Sequence, residues 1–214
     1  MKRLPILLLL AGVVLMSSLQ IGCRDESDPE YWLDAMYDRP WREKSLKTLN
    51  EIFNRAMQDN GSDLSAPQVK EVVDLMLPEL VKGFKEFNRD KFNRTEIIKL
   101  LAQMKDPRAA EVFMLGLDLD ETAEPDMFQI SANALGRLEH EDAIPKLLKA
   151  HASVVASRGR RPGAAFTHSE NVIEQAVISA CTRIVTQKPQ TSYKSQVVKA
   201  LIEIAETTDA VSYT

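Results

Sequence analysis

Apolar residues recur at three- and four-residue spacing along almost the whole chain after residue 28, a pattern that predicts one amphipathic helix after another. Asp28-Pro29 opens the first, with Tyr31, Trp32, Leu33 and Met36 apolar, and Asp38-Arg39-Pro40 breaks it. A second helix is expected from about Trp41 to Met57, carrying Leu46, Leu49, Ile52 and Phe53, and Asn60-Gly61-Ser62 reads as a turn. A long helix follows from about Pro67 to Phe87, with Val69, Val72, Val73, Leu75, Met76, Leu80, Val81 and Phe84. The next, about Asp90 to Met104, carries Phe92, Ile97, Ile98, Leu100 and Leu101. A last apolar helix is expected from Gln196 to about Ala205.

Within this series the chain repeats itself. Ile98, Leu101 and Met104 map onto Ala132, Leu135 and Leu138 at a constant offset of 34 residues. Asp106-Pro107-Arg108-Ala109-Ala110 opens a short helix with Val112, Phe113, Leu115 and Leu117, and Asp142-Ala143-Ile144-Pro145 opens another with Leu147 and Leu148. Residues 129–138 align with residues 175–184 at an offset of 46, so about twelve extra residues (46 − 34) intervene, and they fall between Ser157 and His168. Small residues such as Ala132, Ala134, Gly136 and Ala180 allow helices to approach closely. A single amphipathic hairpin cannot bury its apolar face, whereas stacked pairs share a continuous core.

The stretches Lys105-Asp106-Pro107-Arg108-Ala109, residues 132–138 and Ala143-Ile144-Pro145-Lys146-Leu147-Leu148 resemble HEAT repeats, in particular the bacterial type related to phycobilisome-lyase repeats. The match is good over about 93–207 and weak over 28–92. The resemblance implies an all-α chain folded as a right-handed alpha-alpha superhelix, a HEAT-like helical-hairpin solenoid that binds partners. The alternative is a non-repetitive helical bundle. The final helix looks like the first member of a further pair. Either it caps the stack, or the array continues past residue 214.

The beginning of the chain has another character. Met1-Lys2-Arg3 precedes an apolar run from Leu4 to about Leu19, the arrangement of a secretory signal. The run is about 16 residues, short of the roughly 20 that a spanning helix needs. Gln20-Ile21-Gly22-Cys23 closes it and resembles the lipobox of bacterial lipoproteins, with a small residue before the cysteine. Gln20 stands where that family usually has leucine, which puts processing in question. The resemblance implies a diacylglycerol thioether on Cys23, cleavage before it and acylation of the new amine. Arg24 after the cysteine implies outer-membrane sorting in that family. The expected organisation is a signal peptide over 1–22, a flexible tether over 23–28 and a helical-repeat domain over 29–214. An ordinary signal peptide with a chance cysteine, or an uncleaved anchor, is the alternative.

Composition narrows the classes. Removing Lys2 and Arg3 from 27 basic residues leaves 25 against 31 acidic ones, a net charge of −6. That balance argues against nonspecific nucleic-acid binding, which needs a basic surface. The two cysteines, Cys23 and Cys181, lie in unlike contexts and are not expected to pair. Cys181 falls at a core position equivalent to Leu135, where a thiol acts as a small hydrophobe.

Little in the chain resembles a catalytic centre. His140, expected in a turn, His151, expected at a helix end, and His168 show no metal-ligand spacing with cysteine, and there is no His-Glu-x-x-His run. The acidic stretch 118–126 lacks the glycine and ligand order of a calcium loop and is read as a solvated loop capping the next helix. No glycine-rich phosphate loop or Gly-x-Ser-x-Gly elbow occurs. Tyr31, Trp32, Tyr37 and Trp41 crowd the first hairpin and are read as the packing of an N-terminal cap. The unusual feature is Ser157-Arg158-Gly159-Arg160-Arg161-Pro162-Gly163, three arginines on a Gly/Pro stretch of an acidic protein. Arginine suits carboxylate or phosphate recognition, and loops carry function more often than scaffolds do. Arg158, Arg160 and Arg161 are therefore the candidate partner-binding loop, a solvated loop being the alternative.

The expected function is that of a non-enzymatic protein-interaction scaffold. It would be held by lipidated Cys23 in a bacterial envelope, at the periplasmic side of the outer membrane in preference to the inner. It would carry a protein or peptide on the stack and need no cofactor, metal or nucleic acid. A lyase-like or chaperone-type accessory protein is an alternative by fold analogy alone. A structural subunit of an envelope assembly is another.

Overall fold

The computed structural model describes residues 28–118, 124–160 and 167–212. Among them are nine α-helices and no strand: α1 (Pro29–Ala35), α2 (Arg42–Asp59), α3 (Pro67–Glu86), α4 (Lys91–Met104), α5 (Ala110–Gly116), α6 (Pro125–Arg137), α7 (Ile144–Gly159), α8 (His168–Gln187) and α9 (Lys194–Ser212). The protein is all-α. Short 3-10 turns, Pro107–Ala109 and Glu141–Ala143, lead into α5 and α7.

Several helices begin where a side-chain oxygen meets the first unsatisfied amides. Asp28 Oδ1 accepts from the Glu30 amide at 2.9 Å, and Pro29 then supplies a first-turn residue with no N–H to satisfy. Asp90 caps α4 through the Asn93 amide at 3.2 Å. A capping box opens α8: the Glu170 amide donates to Thr167 Oγ1 at 3.2 Å, and the Thr167 amide donates to Glu170 Oε2 at 2.9 Å.

The 34-residue recurrence is visible in the backbone itself. Lys105 ends α4 with φ 51°, and Glu139 follows α6 with φ 54°, both in the left-handed region that few non-glycine residues enter. Each is followed by the 3-10 turn, whose last residue, Ala109 or Ala143, is fully buried. Each turn then runs into the next helix, at Ala110 and at Ile144. Helix end, reversal, turn and helix start thus recur together at 105–110 and 139–144.

Packing follows two rows. α2, α4, α6 and α8 lie against one another in succession, with α6 against α8 the most extensive contact. In the other row α1 packs on α3, α3 on α5 and α7 on α9. Lys146 links α5 to α7, donating to the Met114 carbonyl at 2.9 Å and to Asp118 at 2.6 Å. One buried cluster runs from Trp32 and Leu33 through Phe53, Phe84, Ile97, Phe113, Phe128 and Leu147 to Ile184 and Val197. The close approach of α6 and α8 depends on Gly136, where a Cβ would stand 3.0 Å from Ala180 Cα.

Three sequence expectations are corrected by these bounds. Ser157, Arg158 and Gly159 form the last turn of α7, not a loop. His151 sits in the interior of α7, not at its end, because the helix runs on to Gly159. α9 extends to Ser212, past the expected end near Ala205.

Candidate interaction site

Helix α7 places His151 and Arg158 seven residues apart, two turns along one face, and both point at the junction with α8 and α9. Arg158 pairs with Glu174 of α8, with Nη1 donating to Oε1 at 2.7 Å and Nη2 lying 2.6 Å from Oε2. The pair is largely shielded, with side-chain exposures of 14% for Arg158 and 9% for Glu174. One hydrogen bond and a second close ion contact hold both charges in one place.

His151 lies between two carboxylates. Nδ1 is 3.7 Å from Glu174 Oε1, and Nε2 is 3.8 Å from Glu203 Oε2 of α9. The imidazole is 6% exposed, and neither ring nitrogen makes a hydrogen bond among the described residues. Lys199 stands 3.9 Å from Glu203 on the solvent side. Arg158, Glu174, His151 and Glu203 therefore form a polar seam that joins the last three helices through side chains of each. The Thr167 N-cap, two turns before Glu174, sets where α8 starts and thereby the height at which Glu174 meets α7. Sequence reasoning missed this seam, although the seven-residue spacing of His151 and Arg158 and the Thr167-His168-Ser169-Glu170 start signal were both present.

The three candidate arginines thus separate. Arg158 is held in the seam, Arg160 is exposed at the C-terminal cap of α7, and Arg161 lies outside the described residues. Cys23 also lies outside them, as do residues 119–123 of the acidic stretch. At the edges of that stretch Asp118 pairs with Lys146 at 2.6 Å, and Glu124 takes the N-cap position of α6 without a side-chain capping bond. No group of three His, Cys, Asp or Glu side chains among the described residues is arranged to hold a metal ion. His140 precedes the second 3-10 turn, and His168 is the exposed first residue of α8.

Cys181 is 1% exposed in the α8 core, and burial pushes its thiol up to about 12. A thiol so placed carries almost no thiolate at neutral pH.

The opposite end of the chain holds a second polar region. The turns 36–41 and 87–90 lie side by side, joined by Arg42 Nη1 on Asp90 Oδ2 at 3.0 Å. Arg42 also donates from Nε to the Met36 carbonyl at 3.1 Å and lies over the Phe87 ring, 3.7 Å from its centroid. Burial raises the Asp90 carboxyl, but hydrogen bonds from Asn93 and the Arg42 guanidinium outweigh it and hold the group below the usual carboxylate range. Tyr37 donates to Glu79 Oε2 at 2.9 Å, and burial with that contact raises its phenol. An open cleft of about 650 Å³ is lined here by Arg39, Arg42 and residues 86–91. Trp32 is buried and Tyr31 and Tyr37 pack on the core, as expected for a cap, but Trp41 is 44% exposed. The Lys44 ammonium lies about 5 Å from both Trp rings, at 5.0 Å from Trp32 and 5.2 Å from Trp41.

No helix among the described residues is long and apolar enough to cross a membrane. Comparison with protein-family models and with curated proteins finds no match to this chain.

Proposed function

We propose that this protein is a lipid-anchored, non-enzymatic interaction scaffold of a bacterial envelope, in which HEAT-like helical hairpins stack as a right-handed alpha-alpha superhelix and Cys23 carries the anchor. The observation that carries the reading is the recurrence of helix end, left-handed residue, 3-10 turn and helix start at 105–110 and 139–144. A unit that repeats in this way, with most helices packing on a next-but-one neighbour, supports a repeat stack. Such stacks offer extended surfaces to protein or peptide partners. The leader, with Lys2 and Arg3 before an apolar run and Gly22-Cys23 after it, supports export and anchoring. Multiple acyl chains would hold the protein stably, at about 0.8 kcal/mol for each buried CH₂. Anchoring then raises the effective concentration of the stack toward partners at the same membrane.

The candidate contact is Arg160, exposed just after α7, together with Arg161, the next residue in sequence, and Arg158 fixes the helix end that precedes them. Affinity purification from solubilised envelope should recover a specific partner, and the double variant Arg160→Glu, Arg161→Glu should recover less of it. Equal recovery would remove that segment from the reading, and no enriched partner at all would remove the scaffold.

A further inference from the structure

We infer that the end of the domain formed by the 36–41 and 87–91 turns rests on the anionic lipid surface to which Cys23 is tethered, with Trp41 entering the interfacial layer. The inference rests on the lipid-anchor reading above and adds the orientation of the domain on the membrane. Two large aromatic side chains are exposed at this end: Trp41, 44% exposed at the start of α2, and Phe92, 57% exposed in the first turn of α4. Trp and Phe so placed suit the boundary between headgroups and acyl chains.

The charge is complementary. The cleft between the turns holds four cations, Arg39, Arg42, Arg89 and Lys91, against two carboxylates, Glu86 and Asp90, an excess of two positive charges on a protein of net charge −4. Arg42 and Asp90 neutralise each other, which leaves Arg39, Arg89 and Lys91, all exposed, against Glu86 and the exposed Asp38 of the 36–41 turn, an excess of one positive charge. The far end of α2 is different. Its turn, 60–66, follows Asp59, contains Asp63 and has no exposed large aromatic residue. Of the turns at the two ends of this helix, only the first carries an exposed large aromatic residue, and its cations outnumber its carboxylates.

Chain length agrees. Cys23 lies five positions before Asp28, a span of at most about 18 Å when extended. Helix α1 has seven residues and is about 10 Å long, so the 36–41 turn lies only that far from the tether's attachment. An acylated Cys23 therefore keeps this end within reach of the lipid plane.

The test uses the full-length protein, purified after expression in a bacterial host and reconstituted in phosphatidylethanolamine–phosphatidylglycerol vesicles with lipids brominated on the acyl chain. Intact mass is read first, then quenching of tryptophan emission. Acylated wild type should be quenched, and Trp41→Phe should lose roughly twofold or more of that quenching, because the remaining Trp32 is buried and interfacial contact is made by exposed rings. The triple variant Arg39→Glu, Arg89→Glu, Lys91→Glu should lower quenching while remaining attached. Acylated protein that stays on the vesicles with no quenching, or with quenching unchanged in Trp41→Phe, overturns the inference and leaves the anchor standing. A mass without acyl groups overturns the anchor reading, and the inference with it.

Discussion

Glu174→Gln isolates the seam that joins the last three helices. The substitution keeps the shape and one acceptor oxygen, but it removes the charge facing Arg158 at 2.6–2.7 Å and His151 at 3.7 Å. Breaking a buried ion pair by removing one partner costs about 3–5 kcal/mol. Arg158 keeps 14% side-chain exposure and the amide still accepts one hydrogen bond, so the cost falls below that range, to about 2–3 kcal/mol. With a urea m-value of about 2 kcal/mol/M, the unfolding midpoint should fall by about 1 M. The paired replacement Arg158→Met, Glu174→Leu should recover to within about 1 kcal/mol of wild type, since well-packed apolar side chains often replace a buried pair without loss. Urea unfolding followed by far-UV circular dichroism reads both, and a double-mutant cycle gives the coupling. A midpoint shift below about 0.25 M for Glu174→Gln would refute the view that this pair fastens α7 to α8.

Other substitutions probe the core and the acid limb. Gly136→Val should destabilise by about 3 kcal/mol, because its Cβ would meet Ala180 Cα at 3.0 Å and two methyls would follow into the same gap; thermal unfolding checks it. Ser131→Ala should be neutral or stabilising by about 1 kcal/mol in the same assay, since the Ser131 hydroxyl is fully buried with no hydrogen-bond partner among the described residues. Cys181 should react with a thiol reagent only on unfolding at neutral pH, because its thiol is pushed up to about 12; fast labelling of native protein in which Cys23 is acylated would contradict this. The Asp90 carboxyl is depressed in the folded state, so its contribution is present above the unfolded value of about 4 and is lost as pH falls through the folded value. Asp90→Asn preserves a capping side chain, so it should flatten the acid-side loss of stability without altering α4 at neutral pH.

The helices were legible because their apolar spacing coincides with what is buried. Val69, Val73, Met76, Leu80 and Phe84 line one face of α3, and the expected bounds of α3 and α4 lie within a residue of the observed ones. The 34-residue offset of Ile98, Leu101 and Met104 was legible for the same reason, and the backbone reversals at Lys105 and Glu139 follow it. The end of α7 was not. Gly159 after Ser157-Arg158 reads locally as a loop, but a tertiary contact on Glu174 holds Arg158 in helical register. His151 was misplaced as a consequence, and with it the seam, because charged partners on three helices leave no periodic trace in sequence. Trp41 read as core, since composition cannot distinguish an aromatic inside a cap from one at its rim.

The most direct test of the anchored scaffold is the intact mass and membrane partition of the protein expressed in a bacterial host, wild type beside Cys23→Ala. The account predicts a wild-type mass equal to residues 23–214 plus acyl groups, recovered with the membrane fraction, and loss of that partition in the variant. Soluble wild type without acyl groups, or membrane recovery unchanged in Cys23→Ala, would contradict it.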